Sequence, residues 1–245
     1  VKKIAGMQPY FFPYIGYWQL IDAVDCFVLF DEAQYIKQGW VNRNRILKVG
    51  GGWQYIQVPV AKHPMSASIR EVQIAANAKW QSRILNQLAQ YGSRAPFYED
   101  TFGAIEAALV RASAQSIGTL NSRLIREICA LLSIDTELVV SSDHGFDYSE
   151  VKETGDWALA HAAQLGATEL INPIGGFDLL DAEKFKARGI GLSSLETPAT
   201  TYSQSAAPFE PSLSIIDVLM HNGIAGTKEL LAKRRIVCRV ESAQH

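Results

Sequence analysis

The chain has 245 residues, 48% of them hydrophobic, and its 23 Lys and Arg against 25 Asp and Glu give a formal net charge of −2. A chain of this size and composition can bury one sizeable core, and the near-neutral balance argues against a protein that binds nucleic acid or a membrane surface by charge. Cys26, Cys129 and Cys238 stand far apart in apolar contexts with no metal-ligand spacing, so they read as buried fillers in a reduced compartment and no metal site is expected.

Taken in order, Ile4 to Met7 is a short apolar run ending at Gln8-Pro9. Proline cannot donate to a sheet ladder, so a buried strand stops there. An aromatic loop follows, and from Tyr14 the residues Ile15, Trp18, Leu20, Ile21 and Val24 fall at helical spacing, with Pro13 suited to the first turn. Cys26 to Phe30 is unbroken and apolar, as expected of a strand covered on both faces, and Asp31 closes it. Strand, helix, strand is a βαβ unit. In open parallel sheets ligands bind beyond the carboxyl ends of the strands, which puts Gln8 to Tyr17 and Asp31 to Tyr35 at one rim.

Residues 35–48 gather Lys37, Trp40, Asn42, Arg43, Asn44, Arg45 and Lys48 just after the second strand. Such a basic loop can hold an anion, Arg offering a planar fork and Asn orienting the ligand through its amide. Trp53 to Pro59 alternates like a strand after a triple-glycine turn, and Ile69 to Ile74 suggests an edge strand. From about Lys79 to Leu132 the period becomes helical. Trp80, Ile84, Leu88 and Tyr91, then Phe102, Ile105 and Leu109, then Leu120, Leu124, Ile128 and Leu131 mark three helices, expected to cover the pocket as a lid.

The βα pattern then resumes with a strand at Thr136 to Ser141, a helix at Ser149 to Leu165 and a strand at Thr168 to Ile171. Asn172-Pro173-Ile174-Gly175-Gly176 opens a second loop at the rim, where glycine permits close approach of a ligand to the main chain. A helix at Leu179 to Ala187, a strand at Ile190 to Leu195 and a helix at Ser212 to His221, stopped by Gly223, finish the reading. No apolar stretch reaches the ~18 to 20 residues of a membrane span, and no charged-then-apolar leader precedes Ile4, so the expected location is the cytoplasm.

The blocks QPYFFPYIGYWQLI, DAVDCFVLFDEAQYIKQGW and VNRNRI resemble the N-terminus of the WbqC-like family, bacterial proteins linked to O-antigen and other surface-polysaccharide clusters. The resemblance continues in LGATELINPIGGFDLLD, FKARGIGL and FEPSLSIIDVLMHNG, and so covers most of the chain. It implies a glycine transferase that attaches a glycyl group to an amino sugar. A more distant similarity is to nucleotidyl-transferring enzymes of the HUP superfamily, whose His-x-Gly-His motif would fall on Tyr14-Ile15-Gly16-Tyr17. Both histidines are absent, which leaves Tyr hydroxyls, backbone N–H groups or nearby Arg to meet a phosphate.

These readings together predict one α/β domain over residues 1–245, with a HUP-like (Rossmann-like) open parallel sheet of about five strands and a mostly helical insertion at about 77–133. Asp31 is the expected base or amine-orienting carboxylate, with Arg43 and Tyr17 beside it. Substrate or nucleotide would be held by Gln8, Pro9, Tyr10, Tyr14, Gly16, Gln34, Tyr35, Lys37, Trp40, Asn42, Asn44, Arg45, Asn172, Gly175 and Gly176. Asp143, His144, Glu32 and Asp178 are secondary candidates. His63, His161, His221 and His245 lack partners in the sequence, and His161 and His221 read as surface or packing residues. No Gly-x-Ser-x-Gly elbow, Walker loop or His-Glu-x-x-His occurs. The expected substrates are an amino sugar or nucleotide-sugar and an acyl donor, aminoacyl-tRNA among the donors, with ATP the candidate cofactor if the donor is a free acid. Rival expectations are nucleotidyl transfer and a non-catalytic nucleotide-sugar or phosphate binder.

Overall fold

The computed structural model describes residues 1–48, 50–76, 79–198, 200–205 and 207–241. Its first three elements are β1 (Lys3–Met7), α1 (Ile15–Ile21) and β2 (Cys26–Leu29), the last buried at every position. β1 and β2 pair in parallel, Ile4 opposite Cys26 and Met7 opposite Leu29, so the expected βαβ unit forms. All seven residues of α1 are buried. Two of its buried side-chain donors are tied down: Trp18 Nε1 donates to Pro13 O and Gln19 Nε2 to Leu230 O, each at 3.0 Å.

β5 (Glu137–Val140), β6 (Glu169–Pro173) and β7 (Gly191–Glu196) extend the parallel sheet, and β8 (Arg235–Val240) joins it antiparallel to β7. The order is β5-β2-β1-β6-β7-β8, a Rossmann-like α/β sheet whose five parallel strands match the expectation, with β8 added antiparallel as a sixth. In order of appearance the parallel strands run third, second, first, fourth, fifth, so the winding reverses between β1 and β6. A crevice at the carboxyl ends of these two strands is the geometric consequence.

The basic stretch is built differently from expectation. Arg43–Leu47 is a strand, β3, paired antiparallel with β4 (Trp53–Gln57) in a separate two-stranded sheet. Alternation of Asn and Arg is the two-residue period of that strand: Asn44 and Ile46 face the core while Arg43 and Arg45 face outward. Ile69 to Ile74 is not an edge strand. Ser68 and Glu71 form a reciprocal capping box, which closes Ile69–Glu71 into a 3-10 turn.

The helical region supplies α2 (Trp80–Leu88), α3 (Tyr98–Arg111) and α4 (Ile117–Leu132); residues 77 and 78, where the insertion was expected to begin, lie outside the described residues. α5 (Ser141–His144) is a single turn after β5. α6 (Asp156–Gln164) starts seven residues later than its apolar pattern suggested, because the Asp156 carboxylate accepts from the N–H groups of Lys152 and Glu153, fixing the entry there. α7 (Ala182–Ala187) is capped by Asp181. α8 (Ile215–Ala232) is two helical segments that meet at a kink, and the expected stop falls there: Gly223, at φ 61° and ψ −171°, is non-helical, and a second segment follows it. A Cβ there would stand 2.7 Å from the Phe97 ring, so packing as well as backbone geometry demands glycine. Asp217 of α8, fully buried, accepts from the Tyr91 and Tyr202 hydroxyls at 2.6 and 2.7 Å. Among the described residues no helix is long and apolar enough to cross a membrane.

Candidate functional site

The reversal between β1 and β6 opens a cleft of about 840 Å³. Its floor is β1 and Leu170. Its walls are the loop after β1 with Gln8, Tyr10 and Tyr14, the loop after β2 with Phe30, Glu32 and Gln34, the first turns of α6 with Trp157 and His161, the end of β6 with Asn172, and the 3-10 turn Ile174–Leu179 with Gly175 and Gly176, where a loop from Asn172 on was expected. The side chains of Gln8, Tyr10, Tyr14, Asn172 and Thr197 line it and hydrogen-bond to no described residue. Burial raises the Tyr10 and Tyr14 hydroxyls above their ordinary range, so both are donors at neutral pH. Gly16 lies beneath this wall. A Cβ on it would come within 2.5 Å of Tyr14 Cε2 and 2.9 Å of Thr197 Oγ1, so only glycine lets both side chains close the wall over α1.

Among the described residues the lining contains no Lys or Arg, and Glu32 is its single carboxylate. The arginines expected to bind a nucleotide stand elsewhere. The Arg43 guanidinium lies 4.2 Å from the Tyr55 ring centre, donates to Gln38 O, and faces a second cavity with Tyr35 and Lys37. Arg45 sits between the rings of Trp40 and Trp53, at 5.5 and 5.2 Å, beside a small pocket on the far side of Tyr10 and Tyr14. The two asparagines hold backbone rather than ligand: Asn42 Nδ2 donates to Val58 O, and Asn44 Nδ2 to Phe11 O and Phe12 O at 3.0 and 2.9 Å. Pro9 O accepts from Asn121 Nδ2 of α4 at 2.8 Å. The helices 80–132 thus support the aromatic loop from behind, and none of their described residues lines the cleft, so they are no lid over it.

Tyr17 is fully buried against Phe27 and Trp18, and its hydroxyl donates to Gln8 O at 3.0 Å. It shapes the loop without reaching the cleft. Asp31 is placed away from the expected role too. Buried to 5% exposure, it accepts from Ser141 Oγ, Ser142 N and Ser142 Oγ at 3.0, 3.1 and 2.8 Å, and it does not line the cleft. A carboxylate with three donors at the start of α5 is a clamp between β2 and β5. Asp143, His144 and Asp178 are exposed outside the lining, His221 is buried near Asp217, His63 faces the second cavity, and His245 lies outside the described residues.

What the sequence reading passed over is a polar chain on the cleft wall. His161 of α6 is buried among Phe30, Phe146 and Tyr148. Its Nε2 lies 3.0 Å from the Tyr148 hydroxyl, which lies 2.8 Å from Glu32 Oε2. A hydroxyl has one proton; with Glu32 ionised the Tyr148 proton goes to the carboxylate and Nε2–H donates to the Tyr148 oxygen. The Nδ1 lone pair is then left facing β1, 3.9 Å from where a Cβ on Gly6 would stand. Burial, with a smaller push from His144, lowers the His161 imidazole to about 4, so it is neutral at physiological pH. Burial and the Glu32 hydrogen bond raise the Tyr148 hydroxyl, which keeps its proton. A hint was available in the sequence: Trp157 and His161 are one helical step apart on the face that must cover β1.

The sheet order and the cleft at its reversal define a Rossmann-like α/β protein with a cleft whose described lining carries no Lys or Arg. Within that class the chain belongs to the WbqC-like protein family, whose model matches residues 8–229. It is 31% identical over 230 residues to the uncharacterized protein Rv1507c of Mycobacterium tuberculosis, covering 91% of this chain and 95% of that protein. No solved structure matches the chain significantly.

Proposed function

We propose that the chain is a transferase of surface-polysaccharide (O-antigen) assembly that forms an amide on an amino sugar bound in the β1/β6 cleft. The Glu32–Tyr148–His161 chain, whose two ends Glu32 and His161 line the cleft, is the observation that carries this reading. Amide formation needs a neutral amine and a place for its proton. As the amine nitrogen bonds to the acyl carbon and the leaving group departs, its proton passes to Nδ1, the Nε2 proton to the Tyr148 oxygen, and the Tyr148 proton to Glu32. Each group gains one proton and gives one up until Glu32 keeps it. The imidazole never has to remain charged in its apolar surroundings, so its low basicity is no obstacle.

Gln8 and Asn172, whose amide groups bond to no described residue, suit sugar hydroxyls or the developing oxyanion, and Trp157 adds an aromatic ring to the lining. Family membership supports the polysaccharide setting, and the glycyl donor follows from the family resemblance. Such an enzyme would act in the cytoplasm on nucleotide-linked or lipid-linked precursors, with ATP needed only for a free amino acid donor. Nucleotidyl transfer is less well supported, since that chemistry is stabilised by cations and the cleft lining offers none among its described residues.

The test is to incubate the purified chain with nucleotide-linked amino sugars and three glycyl donors: glycine with ATP, a glycyl thioester, and glycyl-tRNA. Mass spectrometry should find a glycyl amide with one of them and none when the sugar amine is already acetylated. Sugar binding without product from any donor would make the protein a binder and overturn the transferase reading.

A further inference from the structure

A second cavity, of about 1110 Å³, lies beside the β3–β4 sheet, and Gln34 lines both it and the cleft. Its charges have one sign: Lys37, Arg43 and Lys62 line it, with His63, and among the described residues no Asp or Glu does. In a chain of net charge −2, cations gathered in one concavity without counter-ions are a local feature with an electrostatic purpose. The guanidinium of Arg43 is held by the Tyr55 ring and Gln38 O, and Gln34 is pinned by its bond to Met65 O at 2.7 Å. The cationic wall is therefore partly pre-set rather than wholly mobile.

The lining also includes apolar groups. Ile36 and Met65 are 58% and 89% exposed on it, and Tyr35 packs edge-to-face on His63. Drug-sized ligands occupy pockets of roughly 300–1,000 Å³, so a lone phosphate would leave most of this space empty. Cations together with exposed apolar groups in one lining suit a ligand with both a polyanionic and a flat hydrophobic part.

We propose that this cavity binds the diphosphate and base of a nucleotide-linked substrate, Lys37, Arg43 and Lys62 neutralising the phosphates and Ile36 and Met65 flanking the base, with Gln34 on the wall between it and the cleft. This site does not depend on amide transfer. It separates the charge-binding function from the uncharged cleft, so the ligand's anionic end and its reacting end have different surroundings.

The test is calorimetric titration of the full chain with UDP, ADP, pyrophosphate and uridine. UDP or ADP should bind more tightly than pyrophosphate, uridine least, with affinity falling as salt rises. Replacing the exposed Lys37 and Lys62 together by Ala should weaken the diphosphates roughly tenfold or more while leaving uridine unchanged; His161→Gln in the cleft should leave all four unchanged. A preference between UDP and ADP identifies the carrier. No diphosphate binding at millimolar concentration, or binding lost in His161→Gln and retained in the double lysine variant, would overturn the proposal. Neither result bears on whether glycyl amides form, so the two readings fail separately.

Discussion

His161 Nε2 and the Tyr148 hydroxyl lie 3.0 Å apart, and this contact joins a neutral imidazole on the cleft wall to the carboxylate of Glu32. Tyr148→Phe removes the link while keeping the ring against Trp157 and His161. Turnover should fall about 10²-fold, within the range of general acid–base contributions, while KM for the amino sugar stays nearly constant. Steady-state kinetics separate the two parameters. A rise in KM with kcat unchanged would assign Tyr148 to binding rather than to proton transfer.

The same histidine gives the fold a pH dependence. Its imidazole is held down to about 4 in the folded chain, against ~6.5 when unfolded. Between those values the unfolded chain binds the proton more readily, so stability is lost as pH falls from about 6.5 to 4, is level above that window, and is level again below it. The shift corresponds to about 3 kcal/mol. Urea unfolding from pH 4 to 7.5 should show that loss in the native chain, with a correspondingly smaller fall in His161→Gln. Parallel profiles would mean that His161 titrates normally.

Adjacent carboxylates should respond differently. Asp31→Asn sets an amide N–H against the Ser142 N–H and leaves donors unmatched, at a cost of about 1–3 kcal/mol. Its effect on turnover should be small. Glu32→Gln should leave thermal stability nearly intact and slow turnover, because Gln cannot accept the relayed proton as a carboxylate does. Melting temperature and kcat of both variants decide this, and slow turnover in a fully stable Asp31→Asn would return Asp31 to the mechanism.

The aromatic loop depends on Asn44. Phe11 O takes a hydrogen bond from the Asn44 amide, whereas Phe12 O has the Ser214 hydroxyl as well, at 2.8 Å. Asn44→Ala therefore strands one buried carbonyl and weakens a second, for about 2 kcal/mol. Chemical denaturation measures it directly. A loss below a few tenths of that figure would show that water replaces the amide.

Sequence patterning carried the sheet because β2 is an unbroken apolar run and the other parallel strands each hold a short apolar core between turn signals, and once β1, α1 and β2 are placed the rim follows from topology. That is why Gln8, Tyr10, Tyr14, Gln34, Asn172, Gly175 and Gly176 were foreseeable as neighbours. It misled where a polar residue's partner is distant in the chain. Asn42 and Asn44 look like ligand-holding amides in a basic loop, yet their partners are carbonyls of residues 58, 11 and 12. Asp31 looks like a free rim carboxylate until Ser141 and Ser142 arrive on α5, just after β5 and more than a hundred residues later. His161 looks like a surface or packing residue until α6 is laid against β1, where its Nδ1 comes within 3.9 Å of the place a Cβ on Gly6 would take. β8 was missed because an edge strand shows one covered face at most, and its arginines hide the period.

Gly16 offers a way to perturb the cleft without touching its lining. In an exposed helix, Gly→Ala is stabilising by about 1 kcal/mol. Here the new methyl would meet Tyr14 Cε2 at 2.5 Å and Thr197 Oγ1 at 2.9 Å, and the aromatic ring must swing aside. Buried neighbours on α1 and the Pro13 O bond to Ile215 N fix the backbone, so the displacement falls on the side chains facing the cleft. Amino-sugar binding should weaken roughly tenfold, the scale of losing one well-placed aromatic contact. The melting temperature should move by only ~2–4 °C, corresponding to about 1 kcal/mol in a chain of this size. Calorimetry and thermal melts on Gly16→Ala and Tyr14→Ala distinguish the outcomes. If both variants bind the sugar as the native chain does, the Tyr14 wall is packing and the ligand contacts lie on the Asn172 side of the cleft.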